Sequence, residues 1–192
     1  MQRVQVVHAS RHGATRGIAE RIVEVLRERG FDAVIEDAAT KPDPSGFDAY
    51  VIGSGVYMGS WLKEGVEHLE RNVAVLSTRP VWLFSSGPLP GSTKNQENLD
   101  GTEAALGPEH GPGSAGRQRI EALMAEIRVR EHHVFLGAYD PNDPARSLPE
   151  RVIRMLPGSK GILPEGDFRD WAAIESWARG IAAELEALVP VG

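Results

Sequence analysis

The chain has 192 residues, 41% hydrophobic and 25% charged, which is the composition of an ordinary soluble globular protein. Its net charge of −6 and its lack of a basic run argue against nucleic acid as a partner. Cysteine is absent, which excludes disulfides, thiolate nucleophiles and cysteine-ligated metal centres.

The first half of the chain alternates between predicted strands and helices. Val4–Val7 predicts a strand, and Thr15–Glu28 places its apolar residues on one face of a helix that Gly30 ends. Phe31–Asp37 predicts a second strand. The stretch Ala38–Phe47 contains two prolines and predicts a brief crossover with little helix.

The same rhythm continues to the fourth predicted strand. Ala49–Gly53 is apolar on both sides, as expected of a central parallel strand. Pro80–Ser85 predicts the fourth strand. The helix between them is marked by apolar residues at helical spacing, namely Leu62, Val66, Leu69 and Val73.

The pattern breaks at Gly87, and a Gly/Pro-rich loop is predicted over about 87–116. A helix follows, with Ile120, Leu123, Met124 and Ile127 on one face. His133–Gly137 predicts a fifth strand, Asp140–Pro149 a loop and Arg151–Leu156 a helical turn. A final helix is predicted over Phe168–Leu188.

Five strands that alternate with helices predict an α/β fold with a doubly wound, five-stranded parallel sheet in three layers. We expect residues 1–192 to form a single domain that includes the long loop. Ligands of such sheets bind beyond the carboxyl ends of the strands, at the topological switch point.

Val4–Thr15 (V-Q-V-V-H-A-S-R-H-G-A-T) leads from the first strand through a small, hydroxyl-rich loop into a helix. Backbone N–H groups, the hydroxyls of Ser10 and Thr15 and the helix dipole would converge on one anion, as in a phosphate site. The loop matches neither GxxxxGK[ST] nor GxGxxG. His8 and Ala9 stand where a receiver domain needs acidic residues. The alternative is a plain turn in which Ser10 or Thr15 caps the helix.

Three stretches carry a resemblance to a known family. S-R-H-G-A-T-R followed by I-A-E resembles the phosphate loop of flavodoxin-like, FMN-binding proteins. Asp48–Trp61 (D-A-Y-V-I-G-S-G-V-Y-M-G-S-W) is similar to their third strand and flavin-flanking loop. Gly166–Ala178 (G-D-F-R-D-W-A-A-I-E-S-W-A) is similar to the final helix of one subgroup, the menaquinone-dependent protoporphyrinogen oxidases. The Gly/Pro-rich loop departs from that subgroup because it is poor in basic residues.

The resemblance implies a flavodoxin-like strand order of 2-1-3-4-5, FMN as the cofactor and three loops around it. Ser10–Thr15 would bind the phosphate, Ser54–Gly59 would flank the ring and Ser85–Gly87 would contact its pyrimidine side. The predicted cofactor-binding residues are Ser10, Arg11, His12, Gly13, Ala14, Thr15, Ser54, Gly55, Val56, Tyr57, Met58, Gly59, Ser85, Ser86 and Gly87. No catalytic residue is assigned.

Other polar and aromatic residues favour structural interpretations. Arg16 is expected to be solvated. His132 and His133 are adjacent on a predicted strand and so point to opposite faces, which argues against a shared metal ion. Trp61 is expected to open a helix, with a place in the core or over the ring left open. Core packing is expected of Trp82, Trp171 and Trp177.

The leading functional prediction is an FMN-dependent oxidoreductase with a small-molecule electron donor and a quinone or redox protein as acceptor. The subgroup resemblance implies protoporphyrinogen as one donor. A flavodoxin-type electron-transfer protein without its own substrate, and a cofactor-free interaction domain, are the alternatives. No integral membrane segment, no metal and no nucleic-acid partner are expected. A cytoplasmic location is expected, with peripheral contact to the inner face of the membrane and a homodimer left open.

Overall fold

The computed structural model describes residues 1–57, 60–87, 114–140 and 165–188. Its strands are β1 (Arg3–Ala9), β2 (Asp32–Asp37), β3 (Ala49–Tyr57), β4 (Ser60–Trp61), β5 (Val81–Ser86), β6 (Glu131–Phe135), β7 (Ala138–Tyr139) and β8 (Gly166–Asp167). Its helices are α1 (Ala14–Glu28), α2 (Lys63–Leu76), α3 (Ser114–Ile127) and α4 (Trp171–Ala187), and a short 3-10 turn covers Ala38–Thr40.

The main sheet has the order β2-β1-β3-β5-β6, and every pair along this path is parallel. The five long strands therefore have the predicted order 2-1-3-4-5. The chain winds outward from β1 in both directions, so the switch point lies between β1 and β3. Here the carboxyl ends of the strands form the edge at which ligands of this fold class bind.

Helices cover both faces of this sheet, which confirms the three layers. One face packs on α1 and α4 through a core that includes Ile18, Ile22, Val51, Trp82, Phe84, Ile174, Trp177 and Ile181. The other face packs on α2 and α3 through a core that includes Val7, Tyr50, Ile52, Leu69, Leu76, Leu83, Ile120 and Leu123. Alternate strand residues enter opposite cores because successive side chains of a strand point to opposite faces.

The first difference from the sequence prediction lies at the end of β3. The predicted strand Ala49–Gly53 continues to Tyr57, so Ser54–Tyr57 is strand and not loop. Val56 pairs with Trp61 in an antiparallel hairpin, which we call the β3–β4 hairpin. Trp61 is therefore in a strand and does not open a helix, because α2 begins only at Lys63.

The second difference lies near the end of the chain. β6 ends at Phe135, and β7 then pairs with β8 in a separate two-stranded antiparallel sheet that the sequence did not predict. Trp171 is 38% exposed at the start of α4, so its predicted place in the core is wrong, whereas Trp82 and Trp177 are buried as expected. The predicted loop at 140–149 and the helical turn at 151–156 lie almost wholly outside the described residues, as do residues 88–113 of the long loop.

Candidate functional site

The strand register brings the three predicted loops to one edge of the sheet. Ala9 at the end of β1 lies beside Ser54 of β3, and Ser54 lies beside Ser85 of β5. Beyond these three residues the chain continues at the same edge as the loop before α1, the β3–β4 hairpin and Ser86–Gly87. They surround the switch point, where a ligand would meet all three.

The first segment forms the start of α1. Gly13 is the N-cap, with a left-handed φ of 84°, and no side chain caps the helix. The alternative in which Ser10 or Thr15 caps it is therefore wrong. Instead the Ser10 hydroxyl accepts a hydrogen bond from the Gly13 N–H at 3.1 Å and folds the loop back on itself.

The start of α1 presents main-chain donors to the same edge. The first helical hydrogen bond runs from the Gly17 N–H to the Gly13 carbonyl at 2.9 Å, so the N–H groups of Ala14, Thr15 and Arg16 have no acceptor within the helix. The first turn contains no acidic residue. Main-chain donors and the positive end of the helix dipole make this turn a site for an anion.

Thr15 connects this turn to the end of β3. Its side chain is buried, and its Oγ1 lies 3.2 Å from the position that a Cβ on Gly55 would occupy. Glycine at 55 therefore leaves the room in which the Thr15 hydroxyl sits. Any larger residue there would press on the hydroxyl that sequence analysis predicted to contact the phosphate.

Arg11 and Tyr57 join the first segment to the β3–β4 hairpin. The Arg11 guanidinium carbon lies 4.6 Å from the centre of the Tyr57 ring, a cation–π contact. His12 is half-buried in the same loop. Arg16 points away, because it pairs with Glu20 at 2.8 Å and its side chain is 64% exposed, which confirms that it is solvated.

Ser54 and Ser85, two of the predicted residues, hold the β3–β4 hairpin in place through hydrogen bonds of their hydroxyls. The Ser54 hydroxyl accepts from the Leu62 N–H and donates to the Gly55 carbonyl, both at 3.0 Å. The Ser85 hydroxyl accepts from Trp61 Nε1 at 2.8 Å and lies 2.9 Å from His132 Nε2. Both hydroxyls are thus engaged inside the fold, so contacts of these serines to a cofactor would come from their main chain.

His132 is the second partner of the Ser85 hydroxyl. Burial, together with the nearby His133, lowers the pKa of His132 to about 4, so the ring is neutral and its Nε2 can accept a hydrogen bond from the Ser85 hydroxyl. His133 instead packs on Phe135 and Trp177 in the other core. The two imidazoles therefore lie on opposite faces of the sheet, as the sequence predicted.

The third segment closes the edge beside the hairpin. Ser86 is buried, and Gly87 follows with a left-handed φ of 90°. A Cβ on Gly87 would stand 3.7 Å from the Val56 carbonyl oxygen, so this segment lies next to the β3–β4 hairpin. The predicted residues Met58 and Gly59 lie outside the described residues.

Sequence reasoning missed Arg169, which lies against the first turn of α1. Its Nη1 is 3.4 Å from the Ala14 carbonyl oxygen. The residues are 155 positions apart, and the pairing of β7 with β8 and the packing of α4 on α1 bring them together. The stretch F-R-D-W supported the family resemblance, but nothing in it indicates a contact with the phosphate loop.

A family model described as the flavodoxin domain matches residues 5–141, which is most of the chain. The chain belongs to the flavodoxin domain family. Its cofactor is therefore FMN, and the chain is a flavoprotein with a redox role. Among the described helices, none is both long and apolar enough to cross a membrane.

Solved structures show the same fold at low sequence identity. A short-chain flavodoxin associated with a bacterial microcompartment superposes with a TM-score of 0.58 and 12% identity, over 96% of this chain and 99% of that one. The oxidised flavodoxin 1 of Bacillus cereus superposes with a TM-score of 0.54 and 15% identity, over 98% of this chain and 99% of that one. Rubredoxin oxygen:oxidoreductase of Desulfovibrio gigas superposes with a TM-score of 0.56 and 12% identity, over 97% of this chain and 37% of that longer chain. A comparison with curated protein sequences finds no match.

The residues at the edge fit FMN. The acid-free first turn of α1 suits a dianionic phosphate, and the Arg11 side chain adds a positive charge in the preceding loop. Glycines at 55 and 87 let the main chain approach a flat ring closely, and Tyr57 offers an aromatic face. When bound, FMN supplies hydride and electron transfer at its ring, and the protein supplies position and charge.

Proposed function

We propose that the chain is an FMN-dependent oxidoreductase that takes hydride from a reduced small molecule and passes electrons to a quinone. In this proposal residues 10–15 bind the phosphate, residues 54–59 flank the ring and residues 85–87 contact its pyrimidine side. Ser54 and Ser85 act indirectly, because they hold the β3–β4 hairpin in place. Protoporphyrinogen is the donor to test first.

One observation carries the enzyme proposal. Gly166–Trp171, the start of the stretch that resembles the protoporphyrinogen oxidase subgroup, lies at the cofactor edge. β8 pairs with β7 just beyond the end of β6, and Arg169 contacts the first turn of α1. The segment therefore packs against the loop that this proposal assigns to the FMN phosphate, which supports a role for the resembling stretch at the cofactor.

The proposal is tested by loading the protein with FMN and assaying turnover. Purified protein is first titrated with FMN, and binding is followed by quenching of flavin fluorescence. The loaded protein is then given protoporphyrinogen as donor and menaquinone as acceptor, and porphyrin fluorescence reports the product. Many turnovers per flavin support the proposal, and no turnover by an FMN-loaded protein removes the porphyrin part of it.

A flavodoxin-type electron carrier is the second candidate. The observation that favours it is the match to flavodoxins over 99% of their length. A carrier would exchange electrons with a redox protein and would not turn over a small donor by itself. Reduction of cytochrome c by the FMN-loaded protein, seen only when a flavodoxin reductase and NADPH are added, would favour this candidate over the enzyme.

A further inference from the structure

The short segment between β8 and α4 lies against the first turn of α1. β8 pairs with β7 in a register that puts Asp167 beside Ala138, and the Phe168 N–H donates to the Gly137 carbonyl at 3.1 Å. These bonds fix the segment at the carboxyl edge of the main sheet. They place the side chain of Arg169 on α1.

The Arg169 guanidinium is held in one orientation. Its Nε and Nη2 donate to the two carboxylate oxygens of Asp167 at 2.8 and 2.6 Å, and its plane lies over the Trp171 ring at 4.4 Å. Hydrogen bonding from Arg169 keeps the pKa of the Asp167 carboxyl below its ordinary value, so the pair stays ionised. The side chain of Arg169 is only 17% exposed.

The surface of α1 is shaped to receive this guanidinium. Arg169 Nη1 donates to the Ala14 carbonyl at 3.4 Å, and a Cβ on Gly17 would stand 2.5 Å from the same nitrogen. Glycine at 17 is therefore what gives Arg169 access to the helix. Arg169 braces the first turn through the Ala14 carbonyl and does not use the turn's main-chain N–H groups, which no side chain caps.

We propose that Arg169 is a positioning residue for the FMN phosphate. It fixes the first turn of α1, whose main-chain N–H groups at 14–16 bind the phosphate, and so it lowers the ordering cost of binding. The inference rests on the cofactor site proposed above. Since the brace acts on the phosphate end alone, it sets the affinity for FMN and leaves the affinity for the bare flavin ring unchanged.

The test compares FMN with riboflavin, which has the same ring and no phosphate. Both ligands are titrated into the apoprotein, and flavin fluorescence gives each Kd. Arg169→Gln is expected to weaken FMN binding by about five- to tenfold and riboflavin binding by less than about twofold. Arg169→Lys keeps the charge but loses the planar fork, so a loss of FMN affinity nearly as large is expected.

Gly17→Ala disrupts the same contact by a change in α1 and not in Arg169. The added Cβ displaces the guanidinium, so the same FMN-specific loss is expected, and alanine's high helix propensity keeps α1 folded. Gly180→Ala is the matched control, because it lies in α4 with no heavy atom within 4 Å of the added Cβ. Arg21→Gln is a second control, since it breaks the 2.8 Å pair with Glu175 between the same two helices. In both controls the ratio of the Kd for FMN to the Kd for riboflavin should equal the wild-type ratio.

Three outcomes would overturn the inference. The first is an equal loss of FMN and riboflavin affinity in Arg169→Gln, which would mark a merely structural role. The second is an unchanged ratio in both Arg169→Gln and Gly17→Ala. The third is a loss of FMN affinity in Arg21→Gln as large as in Arg169→Gln. Wild-type protein that binds both ligands equally well would instead refute the phosphate site itself, and the inference with it.

Discussion

Acidification from about pH 7.5 to pH 5 should destabilise the fold through two imidazoles, one fully buried and one half-buried. His68 is fully buried on α2, and its Nε2 has no hydrogen-bond partner among the described residues. Burial, reinforced by the charge of Arg71, lowers the pKa of His68 to about 4. Burial, reinforced by His133, lowers the pKa of His132 to about 4 as well.

The sign and size of the effect follow from these values. Because the folded pKa lies below the unfolded value of 6.5, the unfolded chain binds the proton first. Stability is therefore full above pH 6.5 and is lost as the pH falls toward 4. At pH 5 each imidazole lowers the free energy of unfolding by about 2 kcal/mol, so the pair lowers it by about 4 kcal/mol. A domain typically has a free energy of unfolding of roughly 5–15 kcal/mol in total. Burial also lowers the pKa of His8, which adds to the loss.

Urea unfolding followed by circular dichroism at several pH values between 7.5 and 5 measures this directly. His68→Leu removes one imidazole and should reduce the pH dependence by about half. The substitution keeps the hydrogen bond from Asn72 Nδ2 to the main-chain carbonyl of residue 68, at 2.9 Å. A free energy of unfolding that does not change with pH, or an unchanged pH dependence in His68→Leu, would refute the reasoning.

Three further substitutions test the packing around the site, each by urea unfolding. Gly53→Ala should cost about 2–3 kcal/mol, because the new Cβ would stand 2.0 Å from the buried Phe84 ring; a neutral result would mean that the ring can move. Ser85→Ala should cost about 2 kcal/mol and shift Trp61 fluorescence, since Trp61 Nε1 loses its buried acceptor; unchanged emission would contradict this. Gly180→Ala should raise stability by about 1 kcal/mol, because its helix position has open space; a loss of stability would show that the position is constrained.

The sequence predicted the parts of the fold that depend on local pattern. Apolar runs and helical spacing predicted the five long strands and the helices between them, and the family resemblance implied the strand order. The small residues at Ser10–Thr15 marked the loop that the structure places at the switch point. These predictions succeeded because a buried central strand and an amphipathic helix each leave a periodic signature in a short window.

What the sequence did not reveal depends on pairing between distant segments. β7 and β8 are two residues each, too short for any periodic signal, and they exist because they pair. The sequence predicted that Ser54 and Ser85 lie at the cofactor, but not that their hydroxyls bind the Leu62 N–H and Trp61 Nε1 inside the fold. Trp171 was expected in the core from its position in a predicted helix. In the structure its ring instead forms a cation–π contact with the Arg169 guanidinium.

The packing of α4 on α1 has a consequence for the order of events during synthesis. Arg21 in α1 and Arg29 directly after it pair with Glu175 and Glu186 of α4, partners more than 150 residues later in the chain. Until α4 leaves the ribosome, the sheet face that carries Trp82 and Phe84 lacks half of its cover, and the nascent chain is exposed to aggregation. Tight capture of the flavin nucleotide would then wait until α4 has packed on α1.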